Sequence, residues 1–262
     1  MSAAARALRY LEVVLAAARL QITGMRGSPF PILLGVVQPA AYLVITMHGR
    51  ALTPEAATTD MLGTAMMTLW GSTIWSAGGI LRRERAQGTM PQLIRSWCDA
   101  RVVLFGKCLG AVAVSGTAIS VTTTVMMLAL GTPVHVDRPL LFVALAVLAA
   151  LSTVGLAMLL GSLFILTRAA VRISEALMYP VVLAGGLLIP LTLMPSWLRW
   201  PSWFISLHWA QVLTSECALG RSVQPGQVAA LAALGVLYAA AGVAVFGRAV
   251  DLGRRRGTLE FF

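Results

Sequence analysis

The stretch RRERAQGTMPQLIRSW, Arg82 to Trp97, stands between two long apolar runs and carries four arginines around a Gly-Thr break. A short polar hairpin would suffice to turn the chain here, so the stretch must touch something. What it touches depends on its surroundings. The chain has 262 residues, 58% hydrophobic and only 11% charged, with a mean hydropathy of +0.82. A soluble domain carries about 25% charged residues. This depletion points to a membrane protein.

Six apolar runs are long enough to cross a bilayer, which takes about 20 residues. They lie near 30–48, 61–81, 103–130, 139–167, 175–194 and 228–247. The expected fold class is all-α: a polytopic membrane protein with six transmembrane helices, forming a single domain over 1–262. Counting Lys107, at the inner end of the third run, sixteen of the twenty Arg and Lys residues fall before the first run, between runs two and three, between four and five, or after six. The positive-inside rule then places both termini in the cytoplasm. The same asymmetry explains most of the net charge of +10, so nucleic acid is not an expected partner. Lys107 is the only lysine, an arginine bias that suggests a GC-rich genome.

Residues 1–28 have a pattern of their own. Leu8, Leu11, Leu15, Ala18, Ile22 and Met25 recur at spacings of three and four. This is an amphipathic helix, suited either to the inner membrane interface or to packing on the chain's own spans. Ser28-Pro29-Phe30-Pro31 ends it and opens the first span.

Several chemistries are not written in the chain. No ionisable residue falls at the centre of an expected span, and Glu175 sits at a cytoplasmic edge. No catalytic set and no metal-ligand spacing is present, and Cys98, Cys108 and Cys217 form no Cys-x-x-Cys pair. His48, His135 and His208 all fall on the outer side. The only lysine, in Phe105-Gly106-Lys107-Cys108, lacks the spacing and hydroxyl residue of a phosphate-binding loop. Energy for active transport would have to come from a partner. The small polar residues Ser72, Thr73, Ser76 and Thr122 to Thr124 serve helix packing or line a path for cargo.

Within the opening stretch, Gly88 frees a turn and Thr89 begins a capping box with Gln92. Pro91 is tolerable in a first helical turn. Met90, Leu93, Ile94 and Trp97 then share one face of a short helix. Residues 82–101 thus form a cytoplasmic segment, either an anchor to lipid phosphates or a lever docking on another protein. The second unusual region runs from Tyr179 to Trp209. It holds Pro180, Gly185, Gly186, Pro190, Pro195 and Pro201, with Trp197, Trp200, Trp203 and Trp209. The prolines deny a straight helix, and tryptophan prefers the headgroup level. A re-entrant or interface-parallel outer hairpin, over 195–226 between spans five and six, fits both facts.

In this layout the chain resembles the permease subunits of type-2 ABC exporters. ERAQGTMPQL is similar to the family's Glu-Arg-x-x-Gly-Thr-Leu-Glu-x-Leu pattern, matching at Glu84, Arg85, Gly88, Thr89 and Leu93. GGLLIPLTLMPSWL is similar to the family's outer run, matching at Gly186, Pro190, Pro195, Trp197 and Leu198. Pro91 stands where the family has an acid, and His208-Trp209 where it has Asn-Pro. The resemblance implies a pair of permeases, the same or related chains, over a dimer of separate ABC ATPases. ATP and Mg belong to those ATPases, and this chain needs no cofactor and no metal of its own. The implied coupling residues are Glu84, Arg85, Gly88, Thr89, Met90, Leu93, Ile94 and Trp97, with Arg95 as a further polar partner. Leu93→Asp is expected to leave the chain inserted and to uncouple ATP hydrolysis from export. The implied setting is a bacterial inner or plasma membrane, among lipids. Spans low in aromatics and free of charge suit an amphiphilic small molecule or drug as cargo. A polysaccharide or lipid-linked precursor is one alternative, and a non-transporting scaffold or assembly factor is another.

Overall fold

The computed structural model describes residues 3–47, 53–95, 98–131, 136–165, 167, 169–187 and 194–256. Among these residues the regular secondary structure is entirely helical. The helices are α1 (Ala3–Met25), α2 (Phe30–Ile32), α3 (Gln38–Met47), α4 (Pro54–Ser72), α5 (Ile80–Ala86), α6 (Met90–Arg95), α7 (Ala100–Ala129), α8 (Pro139–Ile165), α9 (Ala170–Ala184), α10 (Ser196–Arg199), α11 (Ser206–Ala218) and α12 (Pro225–Arg256).

Three of them, α7, α8 and α12, are long and apolar enough to cross a membrane. The other expected spans are interrupted or short. The first contains a π-helical turn at Leu33–Val37, where the Gln38 N–H donates to the Leu33 carbonyl. Pro39 follows at once and has no N–H to give, so the wider turn precedes the place where regular pairing fails. The second span widens at Thr73–Ala77. Just before it, the hydroxyls of Ser72 and Thr73 both donate to the Leu69 carbonyl, at 3.0 and 2.7 Å, in competition with the helix ladder. Among the described residues of the fifth run, α9 is 15 residues long and stops at Gly185 and Gly186.

The second span's helix also starts earlier than hydropathy alone indicates. Thr53 caps α4, accepting from the Ala56 N–H at 3.3 Å, and Pro54 occupies its first turn. The polar residues Thr58, Thr59 and Asp60 therefore lie on the helix and not in a loop.

α8 is the hub, packing on α7, α11 and α12. Its Ser162 hydroxyl donates to the Met158 carbonyl at 2.7 Å and reaches the Gly242 carbonyl of α12 at 3.2 Å. α1 lies along the first half of α7. A Cβ on Gly106 would stand 2.6 Å from the Val14 carbonyl oxygen, and one on Gly110 would stand 2.5 Å from that of Ala18. The Gly-x-x-x-Gly spacing thus lets two backbones touch. Ala17, Ala18 and Met25 are buried there, while Leu8, Leu11 and Leu15 stay exposed. The apolar stripe read from the sequence is therefore split, with its C-terminal part packed on this chain's own helices.

Candidate coupling segment and a polar cavity

The segment that follows the second span is a hairpin of two short helices. α5 ends in a Schellman motif. The Thr89 N–H donates to the Glu84 carbonyl at 2.9 Å, and the Gly88 N–H donates to that of Arg85 at 3.1 Å. Gly88 has φ +70°, a left-handed conformation that a side chain would strain. Thr89 then opens α6, its carbonyl accepting from the Leu93 N–H at 3.1 Å. Asp99 caps α7, accepting from the Arg101 N–H at 3.0 Å.

The side chains of the motif lock the turn. The Thr89 hydroxyl donates to Glu84 Oε2 at 2.5 Å. The other carboxylate oxygen, Oε1, takes a hydrogen bond from Lys107 Nζ on α7. Thr89 thus engages Glu84 before it, and not the Gln92 of the expected capping box. Both members of the ion pair are largely buried, with side-chain exposures of 9% for Lys107 and 14% for Glu84. The two charges compensate each other and fasten the turn to a long helix. Arg83 donates to the Ser76 carbonyl in the π-helical turn. Burial, with Arg82 beside it, pulls the Arg83 guanidinium below its ordinary range.

Two residues of the expected docking face, Met90 and Leu93, differ from the expected exposure. Met90 and Leu93 are buried with Ile80, Leu81, Leu104 and Cys108, in the chain's own core. They are not held in water for a partner, and Glu84 is committed to Lys107. The reason is the tight turn at Gly88, which folds α6 back on α5 and α7. The surface left outward at this hairpin includes Arg85, Gln87 and Gln92. Ile94 and Arg95 end α6, with side chains outside the described residues, and Trp97 also lies outside them.

The Pro/Trp-rich region repeats the same backbone device. α9 stops at Gly186, φ +70°, with the Leu187 N–H donating to the Val182 carbonyl at 3.2 Å. Pro190 lies outside the described residues. Pro195 precedes α10, which contains Trp197. Trp200 and Trp203 follow in a 3-10 turn and are 65% and 69% exposed, which suits rings at the headgroup level. Tyr238 of α12 donates its hydroxyl to the Phe204 carbonyl, and Trp209 Nε1 donates to that of Trp203 at 3.1 Å.

Beyond these aromatics the chain does not remain a loop. α11 buries Leu207, Ala210, Leu213 and Cys217 in the main core. With α4 and the end of α9 it encloses a cavity of about 310 Å³ lined by Asp60, Thr64, Gly186, His208, Gln211 and Glu216, among others. His208 Nδ1 is hydrogen-bonded to the Gly185 carbonyl at 3.0 Å. Glu216 Oε2 and Ser215 Oγ are buried without a hydrogen-bond partner. Among the described residues, Gly186 is the one expected outer residue at this cavity. The sequence reading does not single out Gln211 or Glu216. The signal available is the three- and four-residue spacing of Leu207, Ala210, Leu213 and Cys217, overshadowed by the Trp and Pro density just before it.

Comparison with curated proteins gave no match. Comparison with protein families matches residues 12–216 to the ABC-2 type transporter family. The match includes both regions described above and most of the chain, so this protein belongs to the ABC-2 type transporter family and is a transport permease of the membrane.

Proposed function

We propose that this chain is the membrane subunit of an ATP-driven exporter, with six crossings and both termini in the cytoplasm. Permeases of this family work with an ABC ATPase. On this reading a separate ATPase, holding ATP and Mg, docks on the 82–101 segment and drives an amphiphilic small molecule or drug outward. A second permease, the same or a related chain, completes the path.

One observation carries the reading. The Gly-Thr turn is fastened to α7 through Glu84, Thr89 and the chain's only lysine. A force applied to the hairpin reaches a long helix through a buried ion pair rather than dissipating in a flexible loop. Arg85, Gln87 and Gln92 are the outward residues through which that force would enter.

The test is export from cells or vesicles holding this chain together with its ATPase. Gln92→Asp and Arg85→Glu should leave the chain inserted while reducing export and permease-stimulated ATP hydrolysis together. Normal export by both variants would sink the docking assignment. An ATPase whose turnover ignores this chain would favour a non-transporting scaffold.

A further inference from the structure

Two cavities border α3. One is the pocket of α4, α9 and α11 described above. The second, about 380 Å³, is a groove open to the side between α3 and α9, lined by Gln38, Tyr42, Trp75, Glu175, Met178 and Tyr179, among others. Each falls within the range of small-molecule sites, roughly 300–1,000 Å³. α3 borders both, and α9 with the turn that ends it reaches from one to the other. On α3, Tyr42 faces the groove and Thr46, one turn on, faces the pocket. On α9, Glu175 and Tyr179 face the groove, and Gly186, just past the end of the helix, faces the pocket.

Both cavities carry acid in a chain with twice as many basic as acidic residues. Glu175 is exposed at the groove, and among the described residues no ion pair to it is formed. An exposed carboxylate beside apolar helix faces is available to a cationic ligand whose body the apolar faces can cover. Gln38 Oε1 is buried there without a hydrogen-bond partner. The rings around the groove suit a cation as well. Arg82 already stands over the Trp75 ring, 5.8 Å from its centroid, which leaves Tyr42 and Tyr179 for a ligand. Tyr179 is 70% exposed. Arg172, one turn before Glu175, is also exposed. At the pocket Glu216 again presents a buried carboxylate oxygen without a partner, while Arg221 pairs with Glu55 at 3.3 Å.

The geometry points to a lipophilic organic cation as the cargo: an amine or quaternary nitrogen on a ring-bearing apolar body, held first at the Glu175 groove and then at the Glu216 pocket. Glu175 supplies the counter-charge, and Tyr42 and Tyr179 supply ring faces. This rests on the export reading for the direction of travel, but the two binding stations do not depend on it.

The experiment is equilibrium binding to the full chain in nanodiscs of neutral lipid, without nucleotide or ATPase. Ethidium is the cationic probe and anilinonaphthalene sulfonate the anionic control. Ethidium should bind saturably. Glu175→Gln should weaken it by about tenfold, and Tyr179→Ala by a few-fold. Glu216→Gln should remove a weaker second component. The anion should not compete. Both groove substitutions are at exposed positions, and an unchanged melting temperature verifies the fold. Equal ethidium affinity in wild type and Glu175→Gln overturns the proposal, as does competition by the anion. Intact cation binding in a chain that fails to export in cells would sink the export reading and leave the binding sites standing.

Discussion

The turn at Gly88 and the turn at Gly186 use one backbone device for opposite ends. Each closes a helix with a left-handed glycine and the same pair of hydrogen bonds. At Gly88 the adjoining carboxylate, Glu84, is fully engaged by Thr89 and Lys107. At Gly186 the nearby cavity keeps Glu216 Oε2 and Ser215 Oγ without hydrogen-bond partners. A satisfied polar network rigidifies, whereas a buried polar atom without a partner is costly and is answered by a ligand or water. The Gly88 turn is therefore suited to transmit force, and the cavity beside Gly186 to receive something.

A charge placed in the core beneath the Gly88 turn should have the largest effect. Leu93→Asp should destabilise the chain by ~3 kcal/mol or more and abolish a monodisperse elution peak. This replaces the expectation of an inserted but uncoupled variant, because Leu93 is buried. Lys107→Ala, which leaves Glu84 buried without its counter-charge, should cost about 3–5 kcal/mol, measured as thermal unfolding in detergent. Lys107→Met combined with Glu84→Leu should recover most of that loss, since no charge is left unpaired.

The same chemical change at the two carboxylates sharpens the contrast. Glu84→Gln should lower stability by about 1–3 kcal/mol, because it weakens an engaged, charge-assisted network. Glu216→Gln should be neutral or slightly stabilising, because it removes a buried charge whose Oε2 has no partner. Equal losses at both sites, read as melting temperatures, would erase the distinction between them. The smallest expected effects are at the glycines. Gly88→Ala and Gly186→Ala should each cost roughly 1 kcal/mol through the left-handed φ. Only the first should also reduce permease-stimulated ATP hydrolysis.

Local chemistry is legible in the sequence where neighbours decide the outcome. The Gly88 turn, the opening of a helix at Thr89 and the shared face of Met90 and Leu93 follow from spacing alone. The destination of that face does not, because burying it needs Leu104 and Cys108 on a helix reached only after the loop. The Glu84–Lys107 pair joins residues 23 apart, and no periodicity links them. Three long apolar helices stand near their expected places. The π-helical turns are hidden, since they arise beside Pro39 and where Ser72 and Thr73 compete for a carbonyl, effects that hydropathy does not register. α11 is hidden behind the prolines and tryptophans that precede it.

On the proposed function, the outward side of the Gly88 hairpin meets the ATPase. Site-directed cross-linking tests it most directly, in a Cys98→Ser background because Cys98 is an exposed native thiol. Gln92→Cys should cross-link to the ATPase in the assembled complex, with a yield that changes when ATP is added. Trp203→Cys, in the tryptophan-rich region, should not. No adduct from position 92 in a complex that hydrolyses ATP and exports cargo would contradict the account.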